Sequence, residues 1–132
     1  MIETKSNLLV FDKPDKIGHI FPKECVVNIP DFVPVTHPNK ETSIGMVTSH
    51  NRDATRIEIL MRINCPYVEV IKKAIEKGDI YSGGYYKINK SHEENGIEVI
   101  DDITLKSVGL YLSDVFGDND LKMEVLNNEQ YN

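Results

Sequence analysis

Val70-Ile71-Lys72-Lys73-Ala74-Ile75-Glu76-Lys77-Gly78, followed almost at once by Tyr81-Ser82-Gly83-Gly84-Tyr85-Tyr86, decides how this chain reads. Just upstream, Asn64 is placed to cap a helix, and Pro66 suits a first turn, where a missing N–H costs nothing. Val68, Ile71 and Ile75 recur at three- and four-residue spacing, while Glu69 and Lys73 form an i,i+4 pair on the opposite face. Gly78 supplies a left-handed stop. The spacing predicts a helix over about 66–77, with its apolar stripe turned to the core. Strand-like sequence resumes at Tyr85 and runs to Asn89, so helix passes to strand through Ser-Gly-Gly.

The remaining elements read as strands. Leu8-Leu9-Val10-Phe11 is a short apolar run closed by Asp12 and Pro14, which predicts a strand from Asn7 to Phe11. Pro30 and Pro34 exclude a helix through Val26–Thr36, and the chain from Phe32 to Thr36 is expected to be extended. Ser43–Ser49 and Thr55–Ile63 form a hairpin around Asn51-Arg52-Asp53, with Ile57, Ile59 and Met61 on one face. Asn95-Gly96 marks the tip of a second hairpin, whose loop spans Ser91–Gly96 and whose return strand is Ile97–Ile100. Ile103–Leu112 is a further strand, with an alternation that slips near Ser107-Val108 as a bulge requires. The expected fold is α+β and mainly β: a small closed or strongly curved barrel of six to seven strands with one main helix against it. Residues 1–132 form a single domain, with its core over about 7–118 and a frayed polar tail over 127–132.

Composition bounds the function. At 40% hydrophobic and 27% charged residues the balance is that of an ordinary folded domain. No apolar run reaches the roughly 18 residues that a membrane span needs, and Met1-Ile2-Glu3-Thr4-Lys5 lacks the apolar stretch of a secretory signal. The expected compartment is cytoplasmic. A formal charge of −6 with no basic patch argues against nucleic acid. Cys25 and Cys65 are too few for a metal site or disulfide framework and read as reduced, part-buried thiols.

Two residues carry possible chemistry. His37 ends the extended segment Val35-Thr36-His37-Pro38, and Ser82 opens a Ser-Gly-Gly turn that leaves its hydroxyl uncrowded. A serine hydroxyl with an imidazole base is the minimum set for acyl transfer. The backbone N–H groups of Gly83 and Gly84 are the candidate oxyanion donors. His19, His50 and His92 read as solvated or structural, and the paired acids Glu93-Glu94 and Asp101-Asp102 as solvated surface.

These motifs, in this order, resemble the prohead (capsid-maturation) serine proteases of tailed bacteriophages, whose fold is related to herpesvirus assemblin. The resemblance rests on His37 with Ile44-Gly45-Met46-Val47, on the Ile-, Ala- and Lys-rich helix ending in Gly78, and on Ser82-Gly83-Gly84-Tyr85. Gly18-His19-Ile20-Phe21-Pro22 and the closing strand Leu105-Lys106-Ser107-Val108-Gly109-Leu110 match more loosely. It covers roughly residues 7–118. It implies a herpesvirus-protease-like barrel in which Ser82 is the nucleophile and His37 the general base, with no metal or organic cofactor. The family places an acid on the closing strand, where this chain has Ser107 and Tyr111; Asp101, Asp102 and Asp114 are the nearby candidates for the third member.

Two expectations follow from the resemblance. One is a serine endopeptidase that cleaves scaffold or capsid precursor segments, and itself, during head maturation. The other is an inactive protease-fold protein serving as a structural capsid or virion component. Either implies scaffold or capsid protein of the immature head as partner, with homo-oligomerisation open. Either also implies a place in the host cytoplasm, within or on the assembling head.

Overall fold

The computed structural model describes residues 1–37 and 42–126. Among them, nine strands and one helix follow in chain order: β1 (Ile2–Val10), β2 (His19–Ile20), β3 (Val26–Asn28), β4 (Pro34–Thr36), β5 (Ser43–Arg52), β6 (Arg56–Ile63), α1 (Val68–Glu76), β7 (Tyr81–Glu94), β8 (Ile97–Tyr111) and β9 (Glu124–Val125). All nine strands belong to one sheet, strongly curled into a half-barrel. The count exceeds the expected six to seven because β2 and β9, at two residues each, are too short to leave an alternating pattern.

Strand β8 organises the sheet. One of its edges carries β7 in a long antiparallel ladder. Its other edge carries β2, β3 and β4 in succession, all parallel. From β4 the sheet continues through β5 and β6 to β1 by antiparallel pairing. Residues 121–125 then bridge the seam between β1 and β7. Ser82 N–H donates to the Leu121 carbonyl and Met123 N–H to that of Ile80, both at 3.0 Å, while Thr4 and Lys5 pair with β9.

The alternation seen in β6 is what fills the curl. Ile57, Ile59, Met61 and Ile63 point inward and are buried, whereas Arg56 and Arg62 are exposed. Facing them are Val35, Ile100, Ile103, Leu105 and Val108, also fully buried. Each such side chain contributes about 1.5–3 kcal/mol by leaving water.

Several boundaries differ from the sequence reading, each for a local reason. Strand β1 begins at Ile2 rather than Asn7, because Thr4 and Ser6 occupy inward positions and hide the apolar alternation. Strand β5 runs on through His50 to Arg52, since the Asp53 carboxylate accepts the N–H groups of Thr55 and Arg56 and so moves the turn downstream. Strand β8 is continuous through Asp101 and Asp102, where two strands were expected. The amide side chains of Asn28 and Asn89 both donate to Asp102 and hold that carboxylate on the sheet surface.

Helix α1 starts at Val68, and Asn64 is not its cap. Asn64 N–H donates to the Ile44 carbonyl and so extends the β5–β6 pairing, leaving Tyr67 at the cap position with no side-chain hydrogen bond. The other end is as expected, with Gly78 at φ 81° after Lys77. Ile75 is buried, and Val68 and Ile71 pack on the core. The Asn95-Gly96 turn also forms as expected, both residues at positive φ between β7 and β8. The bulge falls at Lys106, which is skipped between the pairs Tyr86↔Leu105 and Tyr85↔Ser107. The tail expected over 127–132 lies outside the described residues. No helix among the described residues is long and apolar enough to cross a membrane.

Candidate functional site

Strand alternation determines where Ser82 points. It pairs with Leu110 on β8 and shares that residue's buried, inward face. Only 2% of Ser82 is exposed. The Ser6 hydroxyl on β1 donates to Ser82 Oγ at 2.9 Å, and Ser82 Oγ donates to the Asn7 carbonyl at 3.0 Å. The Leu121 carbonyl lies at 3.5 Å on the same oxygen. The hydroxyl is therefore a polar link across the seam between β1 and β7.

Gly83 and Gly84 sit in the β7–β8 ladder beneath aromatic rings. A Cβ on Gly83 would lie 2.6 Å from Cε2 of Tyr111, and the Tyr86 ring covers the same position of Gly84. Tyr86 reaches across the curl, its hydroxyl donating to the Leu8 carbonyl at 3.4 Å. Burial pushes the Tyr86 phenol above its ordinary range, so it stays neutral.

His37 stands one residue beyond the last β4–β8 pair, Thr36↔Gly109. That brings it level with Leu110, which Ser82 faces from the other edge of β8. The two backbones are thus about two strand spacings apart, roughly 10 Å. The side chains do not meet. The His37 ring lies edge-on to Tyr67, centroids 6.2 Å apart, and its buried Nδ1 has no hydrogen-bond partner. Among the described residues no hydrogen bond joins His37 to Ser82, and no carboxylate approaches the imidazole closely enough to orient it.

The three candidate acids are engaged elsewhere. Asp101 accepts from His92 Nδ1 at 2.6 Å. Asp102 holds Asn28 and Asn89. Asp114, 6% exposed, accepts backbone N–H groups from Phe116, Gly117 and Leu121, using both of its oxygens. It is the organiser of the 113–121 turn, and without it the buried N–H groups of Phe116 and Leu121 would be orphaned.

A cavity of about 640 Å³ opens beside these groups, between β1 and β7. Leu8, Phe21, Ile103, Phe116 and Leu121 make it mainly apolar, and Ser82, Gly83, Gly84 and Asp114 also line it. His37 does not. Among the described residues no cluster of His, Cys, Asp or Glu has the arrangement to hold a metal ion.

Two features escaped the sequence reading. Ser6 gave one signal, a polar residue at an inward position two before Leu8. His19 and His92 read as solvated or structural, with no sign in the sequence that each is flanked by two carboxylates. No known protein family, curated protein or solved structure matches the chain.

Proposed function

We propose that this chain is a protease-fold protein without hydrolytic activity, acting as a structural component of an assembling phage head. The observation that carries the inactive reading is the commitment of Ser82. A nucleophile has to present its oxygen to a base and to a substrate carbonyl. Here that oxygen is buried and bonded to Ser6 and Asn7. Among the described residues the imidazole that would activate it has no orienting acid, a deficiency worth on the order of 10⁴ in rate where a triad is complete. The phage-head assignment rests on the motif resemblance, and the curled sheet with its single helix is compatible with a herpesvirus-protease-like barrel.

One observation favours the second reading, a serine endopeptidase. His37 and Ser82, remote in sequence, flank the same residue of β8 from opposite edges. A fluorophosphonate probe on the intact protein separates the two. The structural reading expects no labelling, together with co-sedimentation of the chain with assembled procapsids. Labelling that disappears in Ser82→Ala reverses the order of the two readings.

A further inference from the structure

The tip of the β7–β8 hairpin holds an arrangement that the reading above does not use. His92 lies between two carboxylates, Nδ1 at 2.6 Å from Asp101 and Nε2 at 2.8 Å from Glu94. A neutral imidazole has one N–H and one lone pair, so one of these contacts would set a lone pair against a carboxylate. Only the imidazolium, with two donors, satisfies both. His19, on the other edge of β8, has one such contact at hydrogen-bond distance. Its Nε2 is 2.9 Å from Glu98, and its Nδ1 is 3.7 Å from Asp15.

The two histidines border one polar cavity of about 370 Å³. The charged groups facing His92 are Glu94 on its own strand, Asp101 on β8, and Glu93, Glu98 and His19 around that cavity. Glu98 is already tied by Ser91 Oγ at 2.7 Å and by His19. Among the described residues no lysine or arginine lines the space. Asp15 also accepts the N–H groups of Ile17 and His19, which makes residues 15–19 a compact loop. Asp15, Ile17 and His19 form part of the wall of the larger apolar cavity as well.

We propose that His92 is a proton-operated latch: with hydrogen on both ring nitrogens it ties Asp101 to Glu94 and holds the hairpin tip against β8, and loss of one of those protons frees the tip. The hydrogen bonds to Asp101 and then Glu94 raise the His92 pKa above its ordinary value. For a raised histidine the contribution to the folded state is complete below the unfolded value, about 6.5, and fades as pH rises through the folded one. Opening of the hairpin tip therefore increases toward alkaline pH. The latch stands on separate observations from the assignment of Ser82, and neither depends on the other.

Amide hydrogen exchange of the full chain, corrected for intrinsic rates, tests it between pH 5.5 and 8.5. Protection at residues 93–97 is expected to fall about three- to tenfold over that range, while the β6 amides hold theirs. His92→Gln keeps one donor and one acceptor, and it should flatten the profile at the tip. Ring ¹⁵N shifts of His92 at pH 6 should show both nitrogens protonated. Neutral ring nitrogens at that pH, or an unchanged pH profile in His92→Gln, would overturn the latch.

Discussion

Ser6 on β1 donates its hydroxyl hydrogen to Ser82 on β7 over 2.9 Å, and Ser82 passes its own to the Asn7 carbonyl at 3.0 Å. These strands share no ladder with each other, so the two hydroxyls couple them directly. Ser82→Ala is expected to cost about 1–2 kcal/mol, because it orphans the buried Ser6 donor. Ser6→Ala should cost a similar amount, and the double variant less than the sum by about 0.5–1 kcal/mol. Urea denaturation of the four proteins measures the coupling. A Ser82→Ala protein as stable as wild type would mean the hydroxyl is not holding the seam.

Asp114 should matter more for folding than the other acids among the described residues. It accepts three backbone N–H groups between Phe116 and Leu121 and is 6% exposed. Asp114→Ala is expected to lose about 2–4 kcal/mol. Asp114→Asn should recover part of that, since one oxygen remains for Phe116 and Gly117 while an NH₂ group now meets the Leu121 N–H. Exchange of the Leu121 amide reports the difference directly.

The Asp53 turn sets an acid-sensitive point in the β5–β6 hairpin. The Thr55 hydroxyl bonds Asp53 Oδ1 at 2.7 Å, and with the Thr55 and Arg56 N–H groups it lowers the carboxyl pKa below its ordinary 3.8. A lowered carboxyl contributes stability above the unfolded value, and that contribution disappears as pH falls through the folded one. An NMR titration should place Asp53 below the model-peptide value. Thr55→Ala should bring it back upward, since the hydroxyl bond is the largest cause.

What could be read in the sequence was what depends on spacing. The β6 alternation, the α1 stripe, the Gly78 stop and the Asn95-Gly96 turn all follow from a repeat of two, a repeat of 3.6 or a required positive φ. What could not be read depends on partners far along the chain. Asn64 looks like a cap until the Ile44 carbonyl takes its N–H. The hydroxyl of Ser82 looks free until the inward face of β1 is known to carry Ser6. Asp101 and Asp102 look like loop residues until Asn28, Asn89 and His92 hold them on a continuous strand. The candidate site was legible as residues and as strand order; the direction of the serine side chain was not.

Cys25 and Cys65 should differ sharply in reactivity. Burial raises the Cys25 thiol to about 11, against an opposing effect from Arg52, and only 1% of the residue is exposed. The thiolate is the reactive form, so a disulfide reagent at pH 8 should modify Cys65 first and Cys25 only on opening. Arg52 guards that opening: its guanidinium donates to the Lys23 and Cys25 carbonyls at 2.8 and 2.7 Å and lies over the Phe11 ring. Arg52→Ala should speed Cys25 labelling about tenfold or more by local unfolding, although removing the cation by itself raises the thiol pKa further. Slower labelling in that variant would show that charge, and not opening, controls the site.

Two glycine substitutions should separate steric from conformational constraint. Gly45 pairs with Ile63 in the β5–β6 ladder, and any Cβ there would overlap the Arg62 carbonyl oxygen. That obstacle is backbone, which cannot swing aside, so Gly45→Ala must push two core strands apart and should cost about 3 kcal/mol or more. Gly96 has open space around its Cα but a φ of 81°. Gly96→Ala should therefore cost about 1 kcal/mol, from strain alone. Thermal melts of both variants give the comparison. Equal losses would mean that the close approach of β5 to β6 at Gly45 is relieved by bending, and the tight register between those strands would not hold.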